Sequence, residues 1–139
     1  MGSELNLKVE TRRDELDRVS TAIESFGLEA DWPIDLIFKV NLALEELVIN
    51  VMNYGHDGGL HEIDITLTSD EDSLTIEIVD DGRPFDPLHD APKPDVNAEL
   101  EDRDIGGLGI HFVRKMMDDV RYRREEGKNH LTLVTSLAK

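Results

Sequence analysis

Ile63-Asp64-Ile65-Thr66-Leu67-Thr68 and Leu74-Thr75-Ile76-Glu77-Ile78-Val79 place an apolar residue at every second position. Side chains on a strand point to alternate faces, so each stretch predicts a strand with one buried face. Asp70 to Asp72 supplies a turn between them, which makes the pair an antiparallel β-hairpin. Outward from it, Leu5-Asn6-Leu7-Lys8-Val9 alternates as an edge strand. Val120-Arg121-Tyr122-Arg123 and Leu131-Thr132-Leu133-Val134-Thr135 form a closing pair, with Gly127-Lys128-Asn129 turning between them.

Helical spacing flanks these strands. Leu16, Val19, Ile23 and Phe26 fall on one face of a helix from Arg12 to Phe26, which Gly27 is expected to stop. Asp31-Trp32-Pro33 signals a second start, and that helix runs from about Ile34 to Asn53, ended by Gly55 and Gly58-Gly59. Leu108 to Met117 is helical again. Helices before and after a run of antiparallel strands predict one α+β domain over residues 1–139. Its architecture is a two-layer sandwich, with a mixed, mostly antiparallel sheet and helices on one face. The strand-helix alternation of a doubly wound fold is absent.

On the second helix, Leu36, Ile37, Val40, Leu44, Leu47, Val48 and Val51 share one broad arc, at about 100° per residue. Lys39, Glu46, Asn50 and Asn53 cluster opposite as a narrow polar stripe. Leu42 and Ile49 flank it, so the stripe is read as facing a pocket. Glu46 and Asn50 lie four residues apart and project together. Glu45, turned about 100° away, is an ordinary solvated glutamate.

Two further signals complete a set. Asp80-Asp81-Gly82 ends a strand with an acid able to accept a hydrogen bond from an exocyclic amine, and Gly82 lets a base approach. Gly107-Leu108-Gly109 brings bare backbone N–H groups to a helix N-terminus, where unpaired donors and the dipole favour phosphate. Carboxylate, amide, adenine acceptor and phosphate donors together point to Mg-ATP. In this reading Glu46 is the general base and Asn50 gives its carbonyl oxygen to Mg²⁺. Asn53 bonds phosphate or ribose, or else caps the helix end. Thr132 supports Asp80 through a water, or is a plain β-branched strand residue. No G-x-x-x-x-G-K-[ST] stretch is present, so ATP would not be held by a P-loop.

Arg83 to Gly106 contains Pro84, Pro87, Pro92 and Pro94 with many charges and little periodicity. A segment of that length without periodicity suggests a functional lid, about residues 88–106, or a disordered segment. Lys93, Arg103 and His111 lie near the phosphate end.

Composition narrows the classes. Hydrophobic residues at 39% and charged residues at 33% fit a soluble globular protein rather than a disordered tail. A net charge of −16 would repel a nucleic-acid backbone, so direct DNA or RNA binding is not expected. No apolar run approaches the roughly 20 residues that span a bilayer. Met1-Gly2-Ser3-Glu4 opens no signal peptide, there are no cysteines, and a cytoplasmic protein is the expectation. The five histidines offer no zinc spacing, and none begins a phosphoacceptor-like helix.

These motifs resemble the nucleotide-binding domain of the GHKL superfamily, with its Bergerat fold, and within it the stand-alone anti-sigma-factor serine/threonine kinases. Leu44-Glu45-Glu46-Leu47-Val48-Ile49-Asn50 is similar to the N box, Asp80-Asp81-Gly82-Arg83-Pro84-Phe85-Asp86-Pro87 to the first glycine box, and Gly106-Gly107-Leu108-Gly109-Ile110 to the second. Met116-Met117-Asp118-Asp119-Val120 and the last two strands extend the likeness to nearly the whole chain. Pro84 stands where a third-place glycine is common. Kinases of that branch carry a basic residue close before the second glycine box, and Arg103 is the nearest here. The resemblance implies a kinase that binds a sigma factor and phosphorylates an anti-anti-sigma protein, with a homodimer as a common state. Two other functions share the same pocket: a non-catalytic nucleotide-dependent binding module, and an ATP hydrolase or isolated histidine-kinase-like catalytic domain.

Overall fold

The structure is a computed structural model and describes residues 3–54, 61–84, 86 and 113–137. Strand β1 (Ser3–Glu10) leads into helices α1 (Glu15–Glu29) and α2 (Ile34–Tyr54), followed by β2 (Glu62–Ser69), β3 (Ser73–Asp80), β4 (Asp119–Glu125) and β5 (Lys128–Ser136). Residues 113–116 are helical. The five strands form one sheet in the order β1-β2-β3-β5-β4, with β1 at an edge as expected. Every described pairing is antiparallel, where the sequence led us to expect a mixed sheet.

Register explains how the alternation becomes a core. Ile65 pairs with Ile78 and Ile78 with Leu131, while Leu67 pairs with Ile76 and Ile76 with Leu133. Directly paired residues share a sheet face, so these apolar positions make one continuous surface. Val40, Leu44, Leu47 and Val48 of α2 cover it, all 1% exposed or less. Each fully buried side chain of this size contributes about 1.5–3 kcal/mol.

Two local expectations are corrected. Gly27 does not end α1, which runs on to Glu29, with Asp31 taking the left-handed turn at φ 58°. Gly27 is buried instead, and a Cβ there would meet Ile37 Cγ1 at 2.6 Å and Trp32 Cε3 at 2.8 Å. Its role is close approach of α1 to the start of α2. Likewise Gly127-Lys128-Asn129 is not the closing turn. Glu125 pairs with Lys128, and the two residues between, Glu126 and Gly127, both have positive φ, as a type I′ hairpin turn requires. Asn129 therefore enters the ladder, opposite Asp80.

Candidate nucleotide site

Asn50, one turn before the end of α2, is 1% exposed, although asparagine is a poor interior helix residue. Neither its Oδ1 nor its Nδ2 has a hydrogen-bond partner among the described residues. A buried amide left in that condition costs about 1–3 kcal/mol, so it is an oxygen and a donor held ready for something else. Glu46, one turn earlier, is half-buried. Glu45 is exposed, as expected. The polar stripe is less covered than its flanks suggested: Lys39 is exposed and Leu42 is 38% exposed, while among the described residues of the stripe Glu46 and Asn50 turn inward.

Asp80 ends β3 and is 5% exposed. It lines the same cavity as Asn50, with Leu47, Val51, Ile78, Tyr122, Asn129 and Leu131. The enclosed space is about 20 Å³, near the size of one water. That is too small to contain a purine. Gly82 is buried, and its N–H donates to Asp80 Oδ1 at 2.9 Å, an Asx turn that draws the chain back over the carboxylate. A larger groove of about 570 Å³ lies elsewhere, between Trp32, Lys39, Ser69, Glu71 and Thr135. It holds none of the predicted site residues.

The fold thus brings Asn50 and Asp80 together, with Glu46 one helical turn away. It does not bring Thr132 there. On β5, Asn129, Leu131, Leu133 and Thr135 are buried while Thr132 alternates to the opposite, half-exposed face. The place beside Asp80 belongs to Asn129, which sequence reasoning had put in a turn. Asn53 lies in the last turn of α2, and its side chain lies outside the described residues. So do Arg103, Gly107, Leu108, Gly109, Lys93, His111 and the lid at 88–106.

A buried helical amide without a hydrogen-bond partner among the described residues and an acid at the end of β3 line one cavity. The family model for the histidine kinase-like ATPase domain matches residues 9–135. The chain belongs to that family. It is 30% identical over 120 residues to a serine/threonine-protein kinase, BtrW, of Bordetella bronchiseptica, covering 84% of this chain and 82% of that one. It is 25% identical over 132 residues to an anti-sigma F factor of a Thermoanaerobacter species, covering 95% and 90%. Among solved structures, that of the RsbU and RsbW domains of a Mycobacterium tuberculosis protein superposes with a TM-score of 0.66 at 14% identity. It covers 99% of this chain and 33% of that one, and shows the shared fold. The α+β architecture with an antiparallel sheet is therefore that of the GHKL ATPases, and the relatives at this level of identity include one named a kinase and one named an anti-sigma factor.

Among the described residues, no cluster of acidic and imidazole side chains could hold a metal unaided. Mg²⁺ keeps waters and substrate oxygens in its shell and takes few protein ligands. The Oδ1 of Asn50, without a partner among the described residues, is a suitable hard donor. No helix among the described residues is long and apolar enough to cross a membrane.

Proposed function

We propose that the protein is an ATP-dependent serine/threonine kinase that binds a sigma factor and phosphorylates an anti-anti-sigma partner. The observation that carries the nucleotide part is the buried Asn50, without a partner among the described residues, sharing a cavity with Asp80. The kinase and partner parts draw support from the relatives named as a kinase and as an anti-sigma factor.

In this mechanism Asp80 accepts a hydrogen bond from the exocyclic amine of adenine. Asn50 Oδ1 would hold Mg²⁺, which when bound would neutralise charge on the phosphate oxygens. Gly107, Leu108 and Gly109 offer backbone N–H groups to phosphate, and Arg103 reaches the γ-phosphate. Asn53 assists at phosphate or ribose. Glu46 takes the proton from a serine hydroxyl as its oxygen attacks the γ-phosphorus. The bond to the bridging oxygen breaks, and ADP leaves with that electron pair. The protein would work in the cytoplasm, where a sigma factor is found.

Incubation with γ-labelled Mg-ATP and serine-containing proteins encoded beside it tests the reading. Label on a serine of one of them is the expected result. Nucleotide binding with no transfer to any protein would leave a binding module, and hydrolysis without a protein acceptor an ATPase.

A further inference from the structure

Asn129 shares a buried strand face with Leu131, Leu133 and Thr135, and it is 4% exposed. Such an amide is costly there unless its groups are paired. Nδ2 donates to Asp80 Oδ1 at 3.1 Å and to the carbonyl oxygen of Arg83 at 2.8 Å, while Oδ1 accepts from the hydroxyl of Tyr122. A flipped amide would set its oxygen against two acceptors, the Asp80 carboxylate and the Arg83 carbonyl, so these neighbours fix its direction. Gly82 N–H falls on the same Asp80 oxygen. Rotation of the carboxylate would break both bonds at once.

The β4–β5 hairpin also holds the backbone after Asp80. Arg124 Nη1 donates to the Gly82 carbonyl oxygen at 2.7 Å, and Asn129 reaches Arg83. We infer that Asn129, itself oriented by Tyr122, is a positioning residue that aims Asp80 at the exocyclic amine of adenine and so sets the preference for adenine over other purines. This rests on the nucleotide reading above. The β3–β5 register makes it possible, because Asp80 and Asn129 are direct partners at the end of the ladder.

Purine riboside 5′-triphosphate carries hydrogen where ATP has its 6-amino group, so the ratio of the two affinities isolates the contact Asp80 makes. Calorimetric titration of the intact chain with each, in Mg²⁺, should give a wild-type preference for ATP of about tenfold to a hundredfold. Asn129→Ala should cut that ratio to about threefold or less, and Tyr122→Phe should fall between. Asp80→Asn should lower it alone, and adding Asn129→Ala to Asp80→Asn should change it by less than about twofold, since both act through one group. Thermal melts identify variants that fold poorly, and Tyr122→Phe carries the test if Asn129→Ala does. A purely structural amide would weaken both nucleotides equally or change only the melt, and that result, or a wild-type ratio kept in both variants, overturns the inference. If the wild type itself shows no preference for ATP, the adenine reading falls and the inference with it. A wild type that prefers ATP beside variants that keep the preference sinks the positioning role alone.

Discussion

Arg18 holds Glu15 through both carboxylate oxygens, with Nη2 2.7 Å from Oε2 and Nε 3.3 Å from Oε1. The same carboxylate accepts the backbone N–H of Glu10 at 3.1 Å, and Arg18 also donates to the carbonyl oxygen of Lys8. One ion pair thus ties the first turn of α1 to the end of β1. The Arg18 hydrogen bond first, and the Glu10 N–H second, lower the Glu15 pKa from 4.5 to about 2.

A carboxylate whose folded pKa lies below its unfolded value contributes stability above the unfolded pKa and loses it as pH falls toward the folded one. For Glu15 the window runs from about 4.5 down to about 2. Protonating other acids of a chain at −16 relieves repulsion over the same range, so the comparison must be with Glu15→Gln. Urea midpoints should separate wild type from variant at neutral pH and converge toward pH 2. Parallel pH curves would show that the ion pair contributes nothing measurable.

Gly27→Ala tests close approach against helix propensity. Alanine should favour the helix by about 1 kcal/mol over glycine. Here the added Cβ would press on Ile37 Cγ1 and the Trp32 ring, neither of them a flexible chain end, and overpacking costs about 1–3 kcal/mol. A net loss of up to about 2 kcal/mol in chemical denaturation is expected. A stabilised variant would mean that α1 can shift freely against α2.

How far the sequence could be read follows from which residues obey a period. Strands β2 and β3 were legible because Ile63 to Val79 bury one face against α2 and leave the other to solvent. Glu46 and Asn50 were legible because helical spacing alone puts them together. Gly27 was misread because a glycine near a helix end looks the same whether it terminates the chain's turn or admits a neighbour, and only the contact with Ile37 decides. Asn129 was missed for a related reason. Its parity with Leu131 and Leu133 already marked it as inward, but a glycine-led turn was assumed to include it. Placing that turn two residues earlier, at Glu126 and Gly127, would have put an amide beside Asp80 and turned Thr132 away.

Asn50→Ala separates a ligand held in reserve from a structural amide. Because the side chain has no partner among the described residues, its removal should leave the nucleotide-free melting temperature unchanged or slightly raised. ATP affinity in Mg²⁺ should fall by about one to two decades, while affinity in EDTA should hardly change. Loss of folding stability with metal dependence intact would assign Asn50 to packing alone.

Glu46→Gln divides the kinase from a nucleotide-binding module, since every other feature of the site serves both. The amide keeps the size of the carboxylate but cannot take the proton of an attacking serine. Affinity for Mg-ATP should stay within about threefold, and phosphoryl transfer should drop by roughly 10²–10⁴. Glu46 is half-buried one turn from Asn50, so a change in binding comparable to the change in rate would mean that the substitution disturbed the metal ligand and not the base. Equal transfer rates for variant and wild type would remove Glu46 from the chemistry, and proton acceptance would have to be sought on another residue or in the substrate itself.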